Sequence, residues 1–273
     1  MRLTRSTTMR DLVEEAALPA AYLAQQRRIP AGAWIEPSPR WLRVYFGGLK
    51  LADTRRAQLV FEPRRPLTYW LPMEDVRLEY LTAEPRARGS HLLYWTLHVG
   101  DRLATRAARS EPDPPPERAA LNDHIAFAWH MMDSWVEEDE EAFAGPMSPY
   151  HRVDVRRSSR HIRVAIAGQT VAESAHPMVL FETGMPTRYY LPKQDVRMDL
   201  LVPTETTTSC PYKGGARYWS AKLGGELVRD IAWEYPTPLV DCSKIASMLS
   251  FYNEKVDIEV DGQREPRPMT KWS

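Results

Sequence analysis

The chain repeats itself. Arg43–Leu81 aligns without a gap on Arg163–Leu201 at an offset of 120 residues, and fourteen of the 39 positions are identical, Glu62/Glu182 and Arg77/Arg197 among them. A period of this length is too long for a solenoid unit, so each copy is expected to hold its own core. The 273 residues then divide into two domains of ordinary size plus extensions. The register breaks once. Thr206-Thr207-Thr208-Ser209-Cys210-Pro211-Tyr212-Lys213-Gly214-Gly215 faces a segment near Arg88–Leu93 that is four residues shorter, and alignment resumes at Tyr94-Trp95 against Tyr218-Trp219. Features held by both copies point to architecture. A feature held by one copy is a candidate site.

Each copy reads as β. Arg40–Phe46 alternates polar and apolar residues, Gly47-Gly48 supplies a turn and Leu49–Ala52 returns; His161–Ile166, Ala167-Gly168 and Gln169–Ala172 repeat this hairpin. Further strands are expected at Gln58–Glu62, Leu67–Leu71, Asp75–Leu81 and Tyr94–Val99, and at Met178–Glu182, Thr187–Leu191, Asp195–Leu201 and Tyr218–Leu223. One helix closes each copy, over Glu117–Met132 and Val240–Phe251, and Val256–Val260 adds a strand in copy two. The expected fold is mainly β: two tandem small barrel-like domains, each with one short helix, and an N-terminal helical segment with its pattern over Met9–Arg27. The expected divisions are 1–30 for that extension, 31–140 for the first repeat, 141–150 for a linker, 151–262 for the second repeat and 263–273 for an extended polar tail. The acidic run Glu137–Glu141 with Gly145-Pro146 reads as linker.

Charge and cysteine content narrow the function classes. Lys plus Arg and Asp plus Glu each total 36, which gives no basic balance for a nucleic-acid partner. No apolar run reaches the ~18 residues needed to cross a bilayer, and Met1–Arg10 is polar with no hydrophobic stretch behind it. Cys210 and Cys242 are too few for a disulfide framework, so the expectation is reduced thiols in a cytoplasmic protein. No HExxH, zinc-ligand pair, P-loop or GxGxxG appears, and no metal or cofactor is expected. The oligomeric state stays open.

The copy-two loop carries the strongest chemistry. A neighbouring ammonium favours a thiolate, and Lys213 follows Cys210 by three residues in a chain with only seven lysines. Pro211 fixes one φ angle, Gly214-Gly215 permits a sharp return, and the run Thr206–Ser209 offers hydroxyls and N–H groups for an oxygen. Tyr218 and Trp219 follow the loop. Trp233 and Tyr235 come one hairpin later, where copy one has Arg109 and Glu111, and are pocket-wall candidates. The same spacing argument sets Tyr252-Asn253 against Met132-Asp133. Glu182 ends an apolar strand and needs a partner, for which Arg197 or Arg188 is available. Asp195, Arg197 and Asp199, like Asp75, Arg77 and Glu79, would form a charge ladder on one side of a strand.

Several motifs then converge on one family. Phe181-Glu182-Thr183-Gly184, Tyr189-Tyr190-Leu191-Pro192, Asp195–Leu201, Cys210-Pro211-Tyr212-Lys213-Gly214, Ala232-Trp233-Glu234-Tyr235-Pro236 and Phe251–Asp257 resemble the domain-of-unknown-function 427 family. The resemblance spans both copies, about Trp34–Trp135 and Tyr150–Gly262, and is partial in copy one, where His91-Leu92-Leu93 replaces the loop. It implies a β-tent architecture, shared with methionine sulfoxide reductase B and zinc-bearing ligand-binding domains. Those relatives hold zinc with CxxC pairs; this chain has none, so zinc is not carried over. The family pattern maps onto Cys210, Tyr212, Lys213 and Gly214. Its occasional nucleotidyltransferase-like label finds little support, since Asp257 and Glu259 are the only carboxylates spaced for that service.

Three functional readings follow. In the first, copy two is a small-molecule enzyme with Cys210 as nucleophile or redox thiol, Lys213 lowering its pKa or holding an anion, Glu182 or Tyr212 moving protons, and Trp233 and Tyr235 forming the pocket. Tyr218, Trp219 and Arg197 complete its candidate ligand-binding set. In the second, an aromatic pocket captures a planar or cationic ligand without chemistry. The third is a protein-interaction scaffold.

Overall fold

The computed structural model describes residues 33–63 and 65–273; the helical pattern expected within residues 1–30 lies outside them. Domain one comprises β1 (Trp34–Pro37), β2 (Leu42–Phe46), β3 (Leu49–Thr54), β4 (Gln58–Phe61), β5 (Thr68–Pro72), β6 (Leu81–Ala83), β7 (Leu93–Val99), β8 (Arg102–Ser110), β9 (His124–Phe127), β10 (Ser134–Glu137) and β11 (Glu140–Glu141). Domain two repeats the series as β12 (Val153–Arg157), β13 (Ile162–Ile166), β14 (Gln169–Ser174), β15 (Met178–Glu182), β16 (Arg188–Leu191), β17 (Leu201–Cys210), β18 (Gly214–Leu223), β19 (Glu226–Glu234), β20 (Leu249–Phe251), β21 (Asp257–Val260) and β22 (Gln263–Arg264). In both domains a seven-stranded antiparallel sheet meets a four-stranded one. The orders β1-β4-β5-β9-β8-β7-β6 and β12-β15-β16-β20-β19-β18-β17 are the same topology.

The core of each domain lies between its two sheets. In domain two it joins Ile162, Val164 and Ile258 of the small sheet to Tyr189, Leu191, Ile231 and Phe251 of the large one. Alternation along the strands builds it: Tyr189 points into this core and Tyr190 to the opposite face. The expected hairpins form where the glycines are. Gly47-Gly48 and Ala167-Gly168 all have φ between 49° and 80°, the left-handed pair that matches the twist of two antiparallel strands.

Three expectations change. The helices over Glu117–Met132 and Val240–Phe251 shrink to 3-10 turns at Pro116–Leu121 and Val240–Ile245. Asp123 (φ 54°) and Ser247 (φ 57°) then reverse the backbone, and the remaining apolar residues enter the middle of a sheet as β9 and β20, paired on both sides. Asp75–Leu81 and Asp195–Leu201 alternate in sequence, yet each folds as two 3-10 turns leading into β6 or β17. There is therefore no charge ladder: Arg197 pairs with Asp199 two residues on, and Asp195 accepts a 2.6 Å hydrogen bond from Ser174. Finally, the acidic run is not linker. Glu137 lies in β10, and Glu140–Glu141 form β11, the counterpart of β22.

Candidate functional site

The hairpin β17–β18 turns at Pro211-Tyr212-Lys213. Gly214 makes the return possible. Its φ is +105°, and a Cβ there would stand 3.2 Å from the Thr237 carbonyl oxygen and 3.4 Å from the Leu239 nitrogen. Gly214→Ala should lower the stability of domain two by about 1–3 kcal/mol. Thermal unfolding checks this; an unchanged midpoint would show that the turn relaxes at no cost. The run Thr207–Cys210 is paired to Gly214–Arg217, so its backbone belongs to the ladder and is not an open nest of N–H groups.

This turn, the tail and the outer face of the large sheet border a half-open cavity of about 380 Å³. Cys210, Tyr212, Lys213, Glu182, Tyr218, Trp233 and Tyr235 all line it. Two candidates do not. Strand alternation sends Trp219 to the opposite face from Tyr218, into the inter-sheet core, where its indole N–H donates to Glu234 at 3.2 Å. Arg197 is exposed on its turn with Asp199.

Lys213 has its ammonium engaged by a carboxylate. It is only 8% exposed, and its Nζ donates to Glu182 Oε2 at 2.5 Å. The other carboxylate oxygen of Glu182 lies 3.0 Å from His151 Nε2. The His151 ring stacks on Tyr212 at 4.1 Å, and the Tyr212 hydroxyl accepts the Ser148 N–H at 2.8 Å. Glu182 therefore pairs with Lys213 and His151, and neither arginine suggested by sequence reaches it. Burial pushes the Tyr212 phenol up, and it pushes the Cys242 thiol up to about 11 against the pull of Lys213.

The opposite wall is aromatic. Trp233 donates to the Tyr190 hydroxyl at 3.1 Å, and Trp233 and Tyr252 pack at 4.6 Å. Trp272 returns from the tail to meet Tyr252 at 6.0 Å, so residues 263–273 do not simply extend away. Between these rings lies Arg188, its guanidinium carbon 5.4 Å from the Trp233 centroid, 5.9 Å from Tyr252 and 5.7 Å from Trp272. Two nitrogens of Arg188 grip Glu254 at 2.7 and 2.8 Å.

Domain one shows what this space becomes without the loop. After the hairpin the repeat offset is 124 residues, as the pairs Ala108↔Phe127 and Ala232↔Phe251 show. Tyr252 thus corresponds to Ala128, not to Met132. Likewise Tyr235 corresponds to Glu111 and Cys242 to Arg118. Arg118 donates to Glu111 at 2.7 Å and to Glu62 at 3.2 Å, and it lies 6.0 Å from the Trp70 ring. The shared glutamate meets an arginine from the 3-10 turn in one domain and a lysine from the hairpin turn in the other.

Sequence reasoning did not assign His151, Tyr190 or Trp272 to the site, and it raised Tyr252 through the comparison of the repeats alone. Trp272 had a readable signal, a large aromatic in an otherwise polar tail. Asp257 and Glu259 are engaged by Arg267 and Arg163, at 2.9 and 2.7 Å. No helix among the described residues is long and apolar enough to cross a membrane. No curated protein matches the chain. One family does, twice, over residues 34–138 and 154–262, and the chain belongs to it: the family described as a domain of unknown function (DUF427).

Proposed function

We propose that domain two is a binding domain for a small planar molecule. One observation carries this reading. The repeat provides the same space twice, and its end beside the shared glutamate differs: Arg118 and its carboxylates fill that end in domain one, while in domain two Cys242 and Tyr235 stand there and it opens into the cavity. Ring faces and a few polar groups around a recess open to solvent on one side suit a flat ligand. A cationic ligand is disfavoured, because Arg188 already occupies the box formed by Trp233, Tyr252 and Trp272. The Tyr235 side chain is buried against the cavity and supplies a phenol for a ligand acceptor.

The test is a thermal-shift screen of planar heteroaromatic compounds against three proteins. A ligand present at 100 times its Kd stabilises by about 2.7 kcal/mol, a shift of several degrees. The parent and Cys210→Ala should both respond, and Trp233→Ala should not. A response that survives Trp233→Ala, or no response from the parent, would sink the proposal.

A second reading keeps Cys210 as a nucleophile, favoured by its place on the cavity wall. Against it, the one ammonium of the loop is bound to Glu182. Alkylation of Cys210 across a pH series decides: an ordinary thiol midpoint near 8.5 leaves the binding reading alone.

A further inference from the structure

Domain one has a cavity of its own, about 290 Å³, that does not include Arg118, Glu111 or Glu62. Its charge is one-sided. Arg65, Arg106 and Arg109 line it, and among the described residues no aspartate or glutamate does. Arg65 is 3.8 Å from Glu62, but the guanidinium groups of Arg106 and Arg109 pair with no carboxylate among the described residues; the Glu84 carboxylate accepts the Arg106 backbone N–H at 3.0 Å. Their guanidinium groups lie over rings instead, Arg106 at 3.8 Å from Tyr94 and Arg109 at 5.8 Å from Trp70.

The remaining polar lining is neutral side chains, Thr68, Tyr69, Tyr94 and His130, beside the indoles of Trp129 and Trp135. Trp129 stacks on Trp135 at 4.6 Å, and Trp135 is 3% exposed with an indole N–H that has no hydrogen-bond partner. The Tyr69 hydroxyl donates to Glu137. The cavity therefore presents aromatic surface and two guanidinium groups without a carboxylate partner, which calls for a flat molecule bearing a negative charge.

The other repeat shows that the fold does not require these cations. At the positions of Arg106 and Arg109 domain two has Asp230 and Trp233. Arg106 and Asp230 share a left-handed backbone, φ 54° and 45°, at the same strand irregularity. The bulge is common to both domains, and the positive charge belongs to domain one alone.

We propose that domain one holds a second binding site, separate from the cavity of domain two, for an aromatic ring bearing a carboxylate or phosphate. The arginines take the anion, and Trp129 with Tyr94 borders the ring. The test is calorimetric titration of the full chain with naphthalene-2-carboxylate, 2-naphthyl phosphate and the neutral naphthalene-2-carboxamide. At least one anion should bind at least about tenfold more tightly than the amide, and its affinity should fall with added salt. The tighter of the two anions identifies the acidic group preferred. Arg106→Gln, at an exposed position, should weaken that anion several-fold, and Arg106→Gln/Arg109→Gln should weaken it by at least about tenfold with unchanged unfolding temperature. Equal binding of the amide, full affinity in the double variant, or no saturable binding of either anion would overturn the proposal.

Discussion

Arg188→Met will lower the unfolding temperature of domain two by roughly 10 °C or more. Arg188 and Glu254 have side chains 5% and 0% exposed, and each is the other's main charged partner. Removing one member of such a pair leaves the other charge buried, at a cost of about 3–5 kcal/mol. Replacing both, as Arg188→Met/Glu254→Met, should cost far less, because no ion is stranded. The effect has a pH signature. Burial would raise the Glu254 carboxyl, but hydrogen bonds from Arg188 and Thr270 outweigh it and hold the group below its ordinary range. Its contribution is therefore full above the unfolded value of about 4.3 and is lost as pH falls through the lower folded one. In Arg188→Met the stranded carboxylate takes up a proton more readily, so the penalty shrinks as pH is lowered. A penalty independent of pH would mean that lost packing around Trp233 and Trp272, not charge, sets the cost.

Arg118→Met will do the corresponding damage in domain one. Glu111 has a side chain 1% exposed and depends on Arg118 at 2.7 Å. Glu62 and Arg118 are 19% and 18% exposed, so water relieves part of the loss, and the expected cost is about 3 kcal/mol, the low end for a broken buried pair. Global melting alone would not separate the two variants, since two domains need not unfold as one transition. Strand-resolved hydrogen exchange does. Arg118→Met should lose protection in β4, β5 and β9, and Arg188→Met in β15, β16 and β20. Loss in both domains from either change would show that they unfold together.

Much of this fold was readable because the chain carries its own comparison. The repeat gave two domains, the alternating runs gave most strands, and the paired glycines placed the first hairpin of each. What failed did so for physical reasons. Leu121 and Ile125 are four residues apart, as on one helix face, but a strand flanked on both sides needs no alternation, and Asp123 breaks the run. Asp195–Leu201 alternates by accident of two short turns. For the site, the hairpin and the aromatics of β19 were found, because one repeat has them and the other does not. The partner of Glu182 was missed, because proximity along the chain favoured arginines that the fold sends elsewhere. His151 and Trp272 lie far from the loop in sequence, and only the closed domain brings them to it.

The turn bearing Cys210 and Lys213 hangs from the outermost strand of its sheet. The four-residue difference between the repeats consequently shifts no strand register inward of it. Trp95↔Ala108 and Trp219↔Ala232 keep the same pairing, with the same irregularity one step further on. An insertion or deletion here is absorbed at the hem of the fabric, where no neighbour must re-register. The tip behaves as a cassette for the backbone: an indel there leaves the strand pairing of the scaffold intact, and the shared glutamate beneath it takes its cation from the tip in one repeat and from Arg118 in the other.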